Sequence, residues 1–514
     1  MSGKVVLIGA GPGDPQLLTI RGKSYIEKAD CIVYDRLATS ELLAYAKKEC
    51  ECIYVGKENH HHTMKQDAIN ELLAEKASEY PLVVRLKGGD PYVFGRGGEE
   101  ALFLKEKEIS VEVVPGVSSA IAALADAGIP ITHRGISKGF QVVTAHSRKD
   151  QPAEIDYSRM LDDTITYVFL MGLSHVGEIA ERLIAAGKNA DTPVAVISNG
   201  TTAEQRKAVG TLTDIAQLVK EADLPSPAII VVGNVAALSD RLNFFEERKL
   251  FGKRYVVPFI EEFSFTYAQG VEPSKRQAHF DSELERKLRE EGAEICSVKV
   301  GTIMPVEIPE ETFLESLDSD WLLFTSQNGV QAFLWNLKLH GLDLRAVGRS
   351  KIAVVGKKTA AALEKTAVRA DLIPEKQTGQ ELGYCLLNAI AKKPDEREKT
   401  KITLYGAKES NEELNLLLGS ETDFQKLVCY ENREAEDDRE QYRGIDWKSY
   451  DGIFFTSGSS VKRFLRLSNG QFPDKIYSIG PKCTEVIHKE TDSICEEART
   501  SSYQGILELI LDGR

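Results

Sequence analysis

Lys4-Val5-Val6-Leu7-Ile8-Gly9-Ala10-Gly11-Pro12-Gly13-Asp14-Pro15 (4–15) is the stretch on which the fold reading turns. Residues 5–8 are an unbroken apolar run rich in β-branched side chains, which suits a strand buried on both faces. The glycines that follow are spaced G-x-G-x-G with Pro12 inside the turn. A dinucleotide fingerprint needs G-x-G-x-x-G with free amides on a pyrophosphate. Proline removes an amide and fixes φ, so this loop is shaped for close approach of a ligand and not for cradling phosphate. Pro12 therefore disfavours a dinucleotide oxidoreductase. No G-x-x-x-x-G-K-[ST] occurs in the chain, which removes a P-loop nucleotidase.

Similar runs recur outward from this point: 31–35, 81–90, 111–116, 141–146, 166–172, 193–200 and 228–235. Helices are predicted between them over 40–48, 65–79, 97–107, 118–127 and 174–186. Such alternation predicts α/β architecture, with parallel sheets covered by helices and a ligand crevice at the strand C-termini. The run at 81–90 leads into Arg85-Leu86-Lys87-Gly88-Gly89-Asp90-Pro91-Tyr92-Val93-Phe94-Gly95-Arg96-Gly97-Gly98-Glu99-Glu100, with five glycines between 88 and 98. That concentration is conformationally costly for a mere connector. Asp90, at a strand end, could accept hydrogen bonds from an amine or a ribose. A tight turn with a solvated Asp is the plainer alternative.

The 514 residues imply three to four domains at roughly 150 residues each. With 42% hydrophobic and 28% charged residues, the chain is neither disordered, fibrous nor a small stapled scaffold. A net charge of −14, from 64 basic and 78 acidic residues, argues against a broad nucleic-acid surface. No apolar run approaches the roughly 18 residues of a membrane span, and the first residues lead directly into a strand. A soluble cytoplasmic protein without a signal peptide is expected. The eight cysteines form no C-x-x-C and are expected to be small buried residues. His60-His61-His62 has no ligand cluster at suitable spacing and reads as a solvated loop. No metal is expected.

The segment 240–254 is charged and lacks a strand, which places the major boundary there, with 246–254 as a linker. An internal repeat follows. DWLLFTSQNGVQAFLWNL (320–337) matches YDGIFFTSGSSVKRFLRL (450–467), KIAVVGKKTAAALEK (351–365) matches KIYSIGPKCTEVIHK (475–489), and 378–390 echoes 502–513. Each unit reads strand, polar turn, helix, strand, glycine turn, helix. The turns Thr325-Ser326-Gln327-Asn328-Gly329 and Thr456-Ser457-Gly458-Ser459-Ser460 suit anionic groups at a helix N-terminus, and equally suit plain N-capping. No Ser-His-Asp arrangement, Cys-His arrangement or metal cluster emerges in this half.

GAGPGDP (9–15), IVYDRL (32–37), VGK (55–57), RLKGGDPYVFGRGGEE (85–100), VVPGVSSA (113–120), AGIPITHR (127–134), LMGL (170–173), PVAVISNGT (193–201) and SPAIIVVGNV (226–235) together resemble uroporphyrinogen-III C-methyltransferase over about residues 3–245. The resemblance implies two α/β subdomains, about 1–115 and 116–245, with S-adenosylmethionine between them. It implies donor contacts at Pro12, Gly88, Gly89, Asp90, Val93, Ser118, Ser119, Met171, Gly200 and Ala228. It assigns acid and base roles to Asp35 and Lys57, and it implies a homodimer. Ser118-Ser119 stands where the family often has Thr-Ala. The implied substrate carries eight carboxylates and needs local positive charge. Arg36, Lys57, Arg85, Lys87, Arg96, His133, Arg134, His146 and Arg148 lie at or near strand ends, with Arg36 and Arg134 the favoured pair.

The repeated FTS strands with the VVGKKT and SIGPKC turns resemble uroporphyrinogen-III synthase over about 255–514. This resemblance implies one domain from about 255–298 plus 430–514 and another over about 300–428. It implies a cofactor-free cyclisation of hydroxymethylbilane, with Tyr430 placed at the leaving hydroxyl. It implies substrate contacts at Thr325, Ser326, Asn328, Thr359, Thr456, Ser457 and Cys483. The Thr-Arg pair that usually ends the family's first strand is absent, and Cys483 stands where the second repeat usually has Thr. A chain joining the two would make uroporphyrinogen III and methylate it at C-2 and C-7 to precorrin-2, towards sirohaem or cobalamin. The alternatives are a methyltransferase for another tetrapyrrole, and an active methyltransferase whose second half is a non-catalytic binding module.

Overall fold

The computed structural model describes residues 3–35, 40–47, 49–56, 64–145, 154–265, 274–275, 282–390, 399–409, 412–434, 442 and 444–512. The chain parts into two compact units. One is Met1–Tyr255 with Phe280–Cys296 and Leu507–Arg514; the other is Val256–His279 with Ser297–Ile506. Within the expected linker, Leu250 is buried, as is Phe245 just before it.

The first unit holds two five-stranded sheets. The first, in the order β3-β2-β4-β1-β5, is built from β1 (Lys4–Gly9), β2 (Cys31–Tyr34), β3 (Glu51–Tyr54), β4 (Leu82–Lys87) and β5 (Ser110–Val114). Every pair is parallel, so all five C-terminal ends lie along one edge. Val5, Val6, Leu7 and Ile8 have no solvent exposure, as a strand covered on both faces requires. The helices include α1 (Ile20–Ile26), α2 (Gln66–Glu79) and α3 (Gly97–Glu106), and α4 (Ser119–Asp126) follows β5. The second sheet comprises β6 (Gly139–Thr144), β7 (Ile165–Leu170), β8 (Pro193–Ser198), β9 (Arg206–Thr211) and β10 (Ala228–Val232), in the order β6-β7-β10-β8-β9. Here the expectation of parallel sheets is corrected. Only β6 and β7 pair in parallel; β10 runs antiparallel to β7 and β8, and β8 and β9 form a hairpin. The buried apolar runs were found, but such runs carry no information about strand direction.

The repeat organises a nine-stranded sheet in the order β16-β15-β17-β18-β14-β11-β19-β20-β21. Its strands are β11 (Arg254–Glu261), β14 (Glu294–Pro305), β15 (Trp321–Phe324), β16 (Lys351–Val354), β17 (Lys401–Ala407), β18 (Asp423–Glu434), β19 (Gly452–Phe455), β20 (Ile476–Ser478) and β21 (Cys495–Glu497). The short strands β12 (Phe263–Ser264) and β13 (Ser274–Lys275) pair separately. Each repeat places its two strands in parallel, β15 with β16 and β19 with β20. The helices Gln327–Leu339 and Gly458–Leu467 follow the two Thr-Ser turns. Strands β14 and β18 span 12 residues each and pair antiparallel. A cluster of Phe313, Phe324, Phe333 and Tyr405 fills the core around the first repeat, with Phe324 and Tyr405 stacked at 5.6 Å.

All eight cysteines are free thiols, but only Cys31, Cys429 and Cys483 are buried, while Cys52 is exposed. The expectation of buried cysteines therefore holds for these three and is corrected for Cys52 and the four half-buried thiols. Among the described residues, no helix is long and apolar enough to cross a membrane, and no group of three His, Cys, Asp or Glu is placed to hold a metal.

Candidate functional site

Because β1, β4 and β5 are neighbours, their C-terminal turns meet. Gly11 and Gly89 exchange backbone hydrogen bonds, 2.7 Å from Gly89 N to Gly11 O and 3.3 Å in return. Gly9 and Gly116 are pressed against them: a Cβ on Gly116 would lie 2.2 Å from Gly89 O and 2.6 Å from Gly9 Cα. Asp90 ties the same turns together, accepting from Tyr92 N (2.8 Å) on one oxygen and Gly116 N (3.0 Å) on the other. Its carboxylate thus shapes the loop. Gly89 differs from its neighbours, since its φ is +65° and a Cβ there would meet nothing within 4 Å. The turn is closed beneath Gly89 and open above it. We expect Gly116→Ala to cost about 3 kcal/mol through backbone overlap, read as a fall of several degrees in the first unit's thermal transition. An unchanged transition would refute this packing.

The second sheet's loops reach the first glycine turn. Asp14 N donates to Thr201 Oγ1 at 3.2 Å, and Thr201 N donates to the buried Gln205 Oε1 at 2.9 Å. A Cβ on Gly13 would come within 2.6 Å of Thr202 Cγ2, and one on Gly200 within 2.3 Å of Ala123 Cβ. Burial raises the Asp14 carboxyl above the usual carboxylate range, while its Oδ1 accepts from Gln16 N at 2.8 Å. Five non-glycine residues on these loops have positive φ: Phe94, Arg96, Met171, Asn199 and Thr201. For Thr201, at +71°, this is a strained conformation for a β-branched residue, and strain of that kind gathers at functional sites.

The predicted donor residues are spread over these loops and the elements beside them. Gly88, Gly89, Asp90 and Val93 lie on the turn after β4, Pro12 on the turn after β1, and Gly200 on the loop touching Gly13's surroundings. Met171 directly follows β7 with 51% of its surface exposed, and Val93 is 38% exposed. Ser118 caps α4, its Oγ accepting from Ala120 N at 3.3 Å, and Ser119 opens the helix. Ala228 begins β10, half-buried. Arg134 is exposed on the turn that joins His133 to Ser137. Lys57, Arg36, His60-His61-His62, His146 and Arg148 lie outside the described residues.

Asp35 directly follows β2, beside β4, and Arg85 Nη2 donates to its Oδ2 at 2.9 Å. Arg85 and Lys87, counted from sequence among cations for an anionic ligand, are 3% and 5% exposed and already face carboxylates. That expectation is corrected: both belong to the interior. Sequence reasoning also missed Gly9, Gly116 and Thr201 as shaping residues, and Glu100 as the buried carboxylate that meets Lys87.

In the second half, Ser326 is brought to Tyr430, Oγ to OH 2.8 Å, and Ser326 Oγ also accepts from Gly329 N at 3.0 Å. Tyr430 is 9% exposed, and burial pushes its phenol above the ordinary range. Ser457 caps its own helix through Ser460 N at 3.2 Å, so both serines perform the N-capping that the sequence left open. Thr325, Asn328 and Thr456 are half-buried around these caps. Thr359 and Cys483 are 4% and 3% exposed, and the Cys483 thiol lies 3.6 Å from the carbonyl of Phe455.

Residues 4–216 match the family model of tetrapyrrole (corrin/porphyrin) methylases, and residues 282–505 match that of uroporphyrinogen-III synthase HemD. The porphyrin biosynthesis protein HemD of Ruminiclostridium josui is 38% identical over 467 residues, 90% of this chain and 88% of that protein. The uroporphyrinogen-III C-methyltransferase of Methanocaldococcus jannaschii is 51% identical over 242 residues, 47% of this chain and 99% of its own. Among solved structures, the uroporphyrin-III C-methyltransferase of Thermus thermophilus complexed with S-adenyl homocysteine is 38% identical, covering 46% of this chain and all of its own at a TM-score of 0.40.

Proposed function

The chain belongs to the family in which a tetrapyrrole methylase is joined to a uroporphyrinogen-III synthase, and from that membership we propose that one polypeptide performs two consecutive steps. The second half (about 255–514, divided into about 255–298 plus 430–514 and about 300–428) closes hydroxymethylbilane to uroporphyrinogen III. The first (about 1–245, divided near 115) methylates that product at C-2 and C-7 with S-adenosylmethionine, giving precorrin-2 for sirohaem or cobalamin. The observation that carries the methyltransferase reading is Gly89, its carbonyl packed against Gly9 and Gly116 while its Cβ position faces open space. A bulky donor can approach that backbone as no side chain at those positions would permit.

Methyl transfer forms a carbon–carbon bond as the carbon–sulfur bond breaks, with the electron pair passing to sulfur. The pyrrole is nucleophilic enough that the protein's task is mainly alignment. Pro12, Gly88, Gly89, Asp90, Val93, Ser118, Ser119, Met171, Gly200 and Ala228 hold the donor. Asp35 accepts the proton the macrocycle then loses, Lys57 acts as its acidic counterpart, and Arg36 and Arg134 engage substrate carboxylates. In the synthase half Tyr430, hydrogen-bonded to Ser326, donates a proton to the departing hydroxyl, which leaves as water. Thr325, Asn328, Thr359, Thr456, Ser457 and Cys483 complete that substrate site. The synthase needs no cofactor, and the protein acts as a cytoplasmic homodimer joined through its methyltransferase half.

The test is incubation of the full chain with hydroxymethylbilane, with and without S-adenosylmethionine. Uroporphyrinogen III is expected without the donor and precorrin-2 with it. A type III to type I ratio no better than spontaneous closure would end the synthase assignment and leave the second half a binding module.

A further inference from the structure

Asp35, Arg85, Lys87 and Glu100 form one group of charges at the ends of β2 and β4. Glu100, on α3, has no solvent exposure. Its Oε1 accepts from Lys87 Nζ at 2.8 Å and from Gln66 Nε2 of α2 at 3.0 Å, and lies 3.5 Å from Arg85 Nε. Arg85 Nη1 donates to the carbonyls of Leu86 (3.0 Å) and Val33 (3.4 Å), while Nη2 reaches Asp35. Among the described residues, Glu100 Oε2 and Arg85 Nε have no hydrogen-bond partner. Strand alternation puts Val83, Arg85 and Lys87 on one face of β4, the face covered by Leu73 of α2 and Leu104 of α3.

Burying two cations and a carboxylate beside a second, half-buried carboxylate is a poor route to stability; apolar residues of similar volume serve as well or better. The arrangement makes sense if its output is the state of Asp35, the only member with substantial access to solvent, its side chain 26% exposed. We propose that Glu100 and Lys87 are positioning residues for Asp35, fixing the Arg85 guanidinium against it and balancing the charge of the four side chains to zero. This rests on the reading of Asp35 as proton acceptor. Of the described charged groups outside the four, Arg96 at the start of α3 feels Glu100 while pairing with Glu99, and α2 adds the neutral Gln66 and Asn70. Burial and the adjacent Arg85 pull the Lys87 ammonium below its ordinary range, and Glu100 opposes them.

The experiment is the pH profile of kcat for methyl transfer to uroporphyrinogen III, using the full chain carrying Glu100→Gln, Lys87→Met, both together, or Asp35→Asn. Glu100→Gln leaves two cations against one carboxylate, which favours ionised Asp35 and moves the acid limb to lower pH. Lys87→Met leaves two carboxylates against one cation and moves it to higher pH. Each shift should be about one unit, with kcat down about tenfold. KM for S-adenosylmethionine should stay within about twofold, because the Lys87 side chain points to the face of β4 covered by α2 and α3. The double variant should return the limb towards wild type. Shifts of the same sign, or none, with Asp35→Asn inactive, overturn the positioning role while leaving Asp35 its own. Full turnover in Asp35→Asn removes the premise and the proposal with it. Should Lys87→Met fail to fold, the near-isosteric Glu100→Gln decides alone: an unmoved limb refutes.

Discussion

Asp35→Asn is expected to lower methyl-transfer turnover by about 10²–10⁴-fold, the range over which a positioned base contributes. Asparagine keeps the size and one carbonyl oxygen for Arg85 Nη2, which now donates to Asp35 Oδ2 at 2.9 Å. It cannot take up the proton lost from the macrocycle. Because Asp35 follows β2 while the glycine turns follow β1 and β4, donor affinity should remain near wild type. Single-turnover rates together with titration calorimetry against S-adenosylhomocysteine read both quantities. Equal turnover would refute the role of Asp35, and a parallel loss of affinity would mean that it supports the donor site instead.

The second large effect is at Gly89. A valine there must adopt φ near +65°, costing roughly 1–2 kcal/mol or more for a β-branched side chain. It would meet no protein atom within 4 Å of its Cβ. The variant should therefore fold, with its side chain standing in the space proposed for the donor. Affinity should fall more than about 100-fold, equivalent to roughly 2.7 kcal/mol. Gly89→Ala carries much of the same backbone strain with less bulk and should lose less, which separates strain from occlusion. A folded Gly89→Val protein that binds donor normally would overturn the placement. At Gly116, by contrast, a Cβ would collide with backbone, and the expected damage is to stability.

The sequence made legible the parts that depend on local pattern. The β1 and β4 runs were visible because strands covered on both faces need unbroken apolar stretches. The two Thr-Ser turns were visible because a strand followed by a polar cap and a helix has a fixed order of residue types. Strand direction in the second sheet was hidden, since β10 inserts between β7 and β8 without altering its own apolar pattern. Gly116 was hidden because only the neighbouring turns reveal why it must be glycine. The Arg85–Glu100 association lies across 15 positions on different elements, yet one signal was present. Two charged residues, Arg85 and Lys87, occupy alternate positions of a strand that must be buried. Charge in such a place demands a partner. The meeting of Ser326 with Tyr430, 104 residues away, follows from β15, β17 and β18 being neighbours and could not be read locally.

The central claim is that the turns after β1 and β4 form the floor of the methyl-donor site. A crystal structure of the full chain with S-adenosylhomocysteine tests it most directly. The ligand is predicted to lie over Gly88-Gly89-Asp90, in van der Waals contact with Gly89 Cα and flanked by Pro12 and Met171. Ligand density at any other place, or side chains occupying the space above Gly89 in the complex, would contradict it.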